Sequence, residues 1–133
     1  MVMRHALSIT SLVASLLLTA CASAPVGPPE GATHPAWLTG TWQGSAWQVQ
    51  SAQTQAHTDL TVTFTADGSW KASTGAAGAS WLMGDKVVLM GVAADGARIR
   101  YTLKEREHMG GRELWGVVEA SYGAAAVSLK PIR

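Results

Sequence analysis

The chain has 133 residues, of which 14% are charged, with one cysteine and a formal net charge of +1. One cysteine excludes an internal disulfide framework, and the absence of a Lys/Arg cluster argues against a nucleic-acid-binding surface. No polybasic tract offers a second attraction to a membrane.

The first element in chain order is an export segment over residues 1–20. Arg4, with His5 beside it, gives a basic start. Ala6 to Leu18 is an apolar and small-residue run relieved by Ser8, Thr10, Ser11 and Ser15, and Thr19-Ala20 brings small residues to Cys21. That order describes a secretory signal peptide. The run is shorter than the roughly 20 residues a membrane-spanning helix needs. Leu18-Thr19-Ala20-Cys21 resembles the bacterial lipobox. The resemblance implies diacylglycerol on the Cys21 thiol, cleavage before that residue and acylation of the new amine. Several acyl chains anchor stably, whereas one chain, at about 0.8 kcal/mol per buried CH₂, binds reversibly. Ala22 rather than Asp after the cysteine looks like default sorting to the bacterial outer membrane, with the protein facing the periplasm. The competing reading is an ordinary signal peptide cut near Ala24, or a lone buried cysteine. A lipidated Cys21 takes no part in thiol catalysis or metal ligation. Loss of Arg4 with the signal leaves basic and acidic residues in balance.

The mature chain left by cleavage is long enough for one ordinary domain but not two. Residues 21–36 carry Pro25, Pro28, Pro29 and Pro35 among small residues, which predicts a flexible tether. The folded domain is expected over 37–133. Leu38, Gly40, Trp42, Gly44 and Ala46 share one parity in an opening strand. A helical insert is allowed around Ser51 to Ala56, although that stretch lacks an apolar stripe. Leu60, Val62 and Phe64 then alternate with Thr61, Thr63 and Thr65, the period-two pattern of a half-buried strand. Asp67-Gly68 turns the chain into a return strand, with Trp70 and Ala72 inward. Ser80 to Met83 predicts another short strand, followed by one carrying Val87, Leu89 and Gly91 on one face. Asp95-Gly96 makes a second hairpin turn, after which Ile99, Tyr101 and Leu103 alternate with charged residues. A polar loop is expected over Glu105 to Gly111. Leu114, Gly116 and Val118, then Ala125, Val127 and Leu129, line the last two strands.

About eight short strands joined by tight turns predict an all-β fold, a small up-and-down antiparallel β-barrel. An open sheet or sandwich is the competing arrangement. Glycines 40, 44, 91 and 116 are expected to relieve crowding or allow bends in a strongly coiled sheet. Gly40-Thr41-Trp42 resembles the Gly-x-Trp start of lipocalins and avidin-like barrels. That resemblance implies a tryptophan closing one barrel end and a cavity that holds a small apolar ligand.

Six tryptophans stand out in the composition. Trp42 and Trp70 have inward parity and belong to the expected core. Trp47, Trp81, Trp115 and Tyr122 are the candidate binding residues, because an exposed aromatic group combines apolar area with one polar handle. Core filling is the competing explanation for the tryptophans, and contact with the lipid interface is a third. Acid–base chemistry would have to use His57 or His108. Glu105, Glu107, His108 and Glu113 surround a glycine-containing loop that could hold a metal, though their spacing matches no strong motif. No Gly-x-Ser-x-Gly occurs, and Gly75 to Gly78 do not run from a strand into a helix as a phosphate cradle does. No cofactor, metal or catalytic residue is therefore expected. So short a chain, closing eight strands, leaves little room for a ligand. The sequence thus favours a non-enzymatic envelope lipoprotein that binds a protein partner or acts as an accessory. Uptake of a small apolar ligand stands second, and a hydrolase or metal-dependent enzyme using the His57 or His108 region third.

Overall fold

The computed structural model describes residues 28–48 and 57–132. The expected signal peptide, Cys21 and the Ser51 to Ala56 stretch lie outside them. Strong alternation turns each apolar run into a strand with one inward and one outward face. The strands are β1 (Gly40–Trp47), β2 (His57–Phe64), β3 (Ser69–Ala72), β4 (Ala77–Met83), β5 (Lys86–Val92), β6 (Arg98–His108), β7 (Gly111–Ala120) and β8 (Gly123–Pro131). Each pairs antiparallel with the next, and β8 returns to β1, so the sheet is a closed eight-stranded barrel. Closure removes the exposed edges that an open sheet of these strands would present.

Inward residues follow from the register. Trp42 lies opposite Val62, Leu89 opposite Tyr101, and Leu114 opposite Leu129. These and their neighbours form one buried cluster that includes Leu38, Phe64, Trp70, Val87 and Leu103. The glycine expectation is met at three of its four positions. A Cβ on Gly44, Gly91 or Gly116 would lie 1.8, 2.0 or 2.0 Å from a carbonyl oxygen of the neighbouring strand. Side chains there would push adjacent strands apart, so the tight coil depends on their absence. Gly40 differs. It has open space around it and is needed instead for its positive φ of 126°.

Two boundaries depart from the sequence reading. The polar loop expected over Glu105 to Gly111 is mostly strand: β6 runs to His108 and turns at Met109-Gly110. Arg106 stands directly opposite Glu113, and Glu107 opposite Arg112, so opposite charges extend the ladder beyond the apolar core. β4 begins at Ala77 rather than Ser80, because Gly78 allows β5 to approach closely.

The shortness of β3 leaves the second half of β4 without a full partner. Ser80 N–H donates to the Gly68 carbonyl, and Leu82 N–H to the Thr33 carbonyl at 2.9 Å. Thr33, from the segment assigned to the tether, thus closes the seam through a single bridge to Leu82. The 3₁₀ turn Ala36–Leu38 comes next and seats fully buried Leu38 in the barrel end. Trp42 donates its indole N–H to the Leu38 carbonyl at 2.9 Å, and Trp37 packs edge-on against Trp42. Arg112, which pairs with Glu105 at 2.9 Å, lies over the Trp37 ring. This end is plugged.

Candidate functional site

The opposite end is built by the turns after β3, β5 and β7. Two of them are held by their own backbone: Ala72 and Ala93 donate N–H groups to the Ala76 and Ala97 carbonyls. Asp95 accepts the Ala97 N–H on its side chain, fixing the second turn as an Asx-type loop. Among the described residues, a hollow of about 420 Å³ lies inside this rim. This is more room than a chain so short, closing eight strands, is expected to leave. The room exists because inward positions near the turns carry Ala46, Thr58, Ala120 and Ala125 rather than large apolar residues.

Leu60, Ile99 and Tyr101 border the hollow where it meets the buried core. The Tyr101 ring is set by Trp70, which meets it edge-on with centroids 5.4 Å apart. Trp70 is itself held by its indole N–H, which donates to the Ala79 carbonyl at 3.0 Å and reaches the Met90 carbonyl at 3.3 Å. Burial, with a smaller contribution from Tyr122, pushes the Tyr101 phenol from 10.0 up to about 12. Tyr101 therefore stays neutral over the physiological range and offers a hydroxyl group rather than a charge.

Of the four aromatic candidates, Tyr122 alone reaches this hollow, on the rim at the β7–β8 turn and 67% exposed. The three tryptophans have outward parity and are not brought together. Trp47 lies on the outside of β1 and is tilted against His57, its cross-strand partner. Trp115 is 41% exposed on the outside of β7, with the Arg106 guanidinium 4.6 Å from its ring centre. Trp81 has outward parity, opposite Val88, yet is only 3% exposed and stands apart from the core cluster. Its indole N–H has no partner among the described residues.

The groups considered for acid–base or metal chemistry are dispersed. His57 and His108 are exposed, at the open-end start of β2 and on the projecting end of β6. Glu113 is 2% exposed and accepts from Arg106 Nε and Nη2 at 2.9 and 2.6 Å, while Glu105 is paired with Arg112. No three His, Cys, Asp or Glu residues converge as a metal site among the described residues. A wider depression of about 600 Å³ lies over β5, β6 and β7 and includes outward-facing Met90, Arg98, Arg100 and Glu119. The smaller hollow is the better-formed site, because it opens within the barrel end and buried Leu60, Ile99 and Tyr101 supply its base.

Individual sequence signals for the hollow were the alanines at inward parity and the two turns that carry Thr74 and Asp95. Neither set looks like a site until closure places it around a common opening. Comparison with family models, curated proteins and solved structures finds no match for this chain.

Proposed function

We infer that this protein is a bacterial envelope lipoprotein, held to the outer membrane through lipid on Cys21, whose barrel takes up a small apolar molecule at its open end. One observation carries the ligand reading: an end-opening hollow of about 420 Å³ above the Leu60, Ile99 and Tyr101 base. Its size falls within the roughly 300–1,000 Å³ of typical small-molecule sites, and its lining sets apolar side chains beside polar ones from Gln48, Thr58, Thr74, Asp95, Tyr101 and Tyr122. Closure of the other end by Trp42 supports the likeness to lipocalin-like and avidin-like barrels. The role is binding rather than catalysis. The anchor reading rests on the lipobox resemblance and the preceding apolar run.

The ligand reading is tested with the neutral fluorophore N-phenyl-1-naphthylamine, titrated into full chain carrying Cys21→Ser. Saturable one-to-one binding that disappears when Ala125→Phe fills the hollow supports it; no saturable binding overturns it. For the anchor, intact-mass analysis of membrane-extracted protein is expected to find acyl chains on Cys21. A mature form without them, cut elsewhere, overturns that part.

A second reading, docking of an envelope protein, is favoured by Trp115 and Val117, which lie two residues apart on the outside of β7 and are both exposed. Aromatic and aliphatic groups so placed are suited to a partner surface. Loss of partner capture on Trp115→Ala, with unchanged probe binding in the hollow, would separate this role from the first.

A further inference from the structure

We propose that the open end selects uncharged apolar molecules and rejects anionic ones of the same shape. The inference rests on the ligand reading above and names the chemistry of its occupant. Lysine, arginine and histidine are absent from the described residues that line the hollow, and Asp95 is its one charged member. The described cations toward this end lie outside the wall, Lys71 among them, since it alternates with inward Trp70 and Ala72. Arg98 alternates with inward Ile99 and so faces outward, Arg100 approaches Glu119 at 4.0 Å, and His57 rests against Trp47.

An anion that enters such a hollow loses water without gaining a cation or a charge-assisted partner, which is costly. Asp95 adds repulsion at the rim. An uncharged molecule meets neither penalty. Thr58, Thr74 and Gln48 at the mouth, with Tyr101 at the base, supply neutral hydroxyl and amide groups to a ligand that carries a hydroxyl or carbonyl. Tyr101 remains un-ionised until far above neutral pH, so the base adds no negative charge. The plugged end makes the contrast plain. There, an ion pair at inward parity, Arg112–Glu105, is present, so the fold tolerates charge on that face where a partner is supplied.

The experiment compares two naphthalene probes of nearly the same framework, neutral N-phenyl-1-naphthylamine and anionic 1-anilinonaphthalene-8-sulfonate. Both are titrated into full chain carrying Cys21→Ser at moderate salt. The neutral probe is expected to bind at least about tenfold more tightly. Asp95→Asn, which keeps an oxygen for the Ala97 N–H, should narrow the gap between the two probes by about two- to fivefold in favour of the anionic one. Ala125→Phe should abolish neutral-probe binding. Thr74→Phe, at an exposed turn position, provides a second block should the first variant fail to fold. Equal binding of the two probes, or tighter binding of the sulfonate, overturns the selectivity while leaving the ligand reading intact. Saturable binding of neither probe overturns both.

Discussion

The two ends of this barrel are made from the same alternating strands but finished in opposite ways. At the plugged end, Leu38, Trp42 and Trp37 occupy the opening, and Arg112 covers Trp37 while paired with Glu105. At the open end, equivalent inward positions hold Ala46, Thr58, Ala120 and Ala125 around a hollow. The difference teaches that barrel closure alone does not determine whether the interior is solid. A few inward side chains at each end decide it, and stability and binding are thereby assigned to different halves.

Substitutions can break that contrast in order of size. Trp42→Ala should cost about 3–5 kcal/mol in denaturant unfolding, since it empties a buried site and removes the bond to Leu38. Gly116→Ala places a Cβ 2.0 Å from the Thr102 carbonyl oxygen. The strands must separate, and a loss of about 1–3 kcal/mol is expected by the same assay. Ala125→Phe, at the open end, should change stability by less than about 1 kcal/mol because the added ring enters existing space. A loss as large as that of Trp42→Ala would show that the two ends share one packed core. Arg112→Ala should cost about 0.5–1 kcal/mol, partly lost at high salt, because its ion pair is half exposed and its guanidinium lies over Trp37.

Two titrations sharpen the same comparison. Tyr101 has a raised pKa in the folded state, so its contribution is complete below 10 and is lost as pH rises through about 12. Phenolate absorbance should therefore show one group ionising late, accompanied by loss of stability in that window. At the plugged end, hydrogen bonds from the Thr65 hydroxyl and then from Ser69 hold the exposed Asp67 carboxylate down at about 2. Its contribution is present above the ordinary value of 3.8 and is lost as pH falls through about 2. Asp67→Ala should flatten the small acid-side dependence of stability across that interval.

Much of the wall was legible because burial and alternation coincide. Leu60, Val62 and Phe64 on β2, and Ile99, Tyr101 and Leu103 on β6, are all buried in the register that their parity implies. The β6–β7 extension was not legible. Glu105, Arg106 and Glu107 read as a solvated loop until their partners across the hairpin are known. Outward parity likewise gives no hint that Trp81 is buried. The hollow was obscured for a different reason: alanine at an inward position fits a tightly packed interior as well as an empty one. Only closure distinguishes Ala46, which packs against the core and also lines the hollow, from an ordinary small core residue. Tyr122 could be suspected as an exposed aromatic, but its place on the rim depends on the β7–β8 turn.

The Thr33–Leu82 bridge has a mechanical consequence. A pull on the N-terminal segment meets the Thr33–Leu82 backbone hydrogen bond, and then the longer His34–Ser80 contact, before it loads the turn that carries Leu38. Yielding there would lengthen the free lead by up to about 3.6 Å for each residue released, with all eight wall strands still joined. The bridge is thus a strain-relief point: traction is absorbed toward the plugged end, and the rim at the far end keeps its shape.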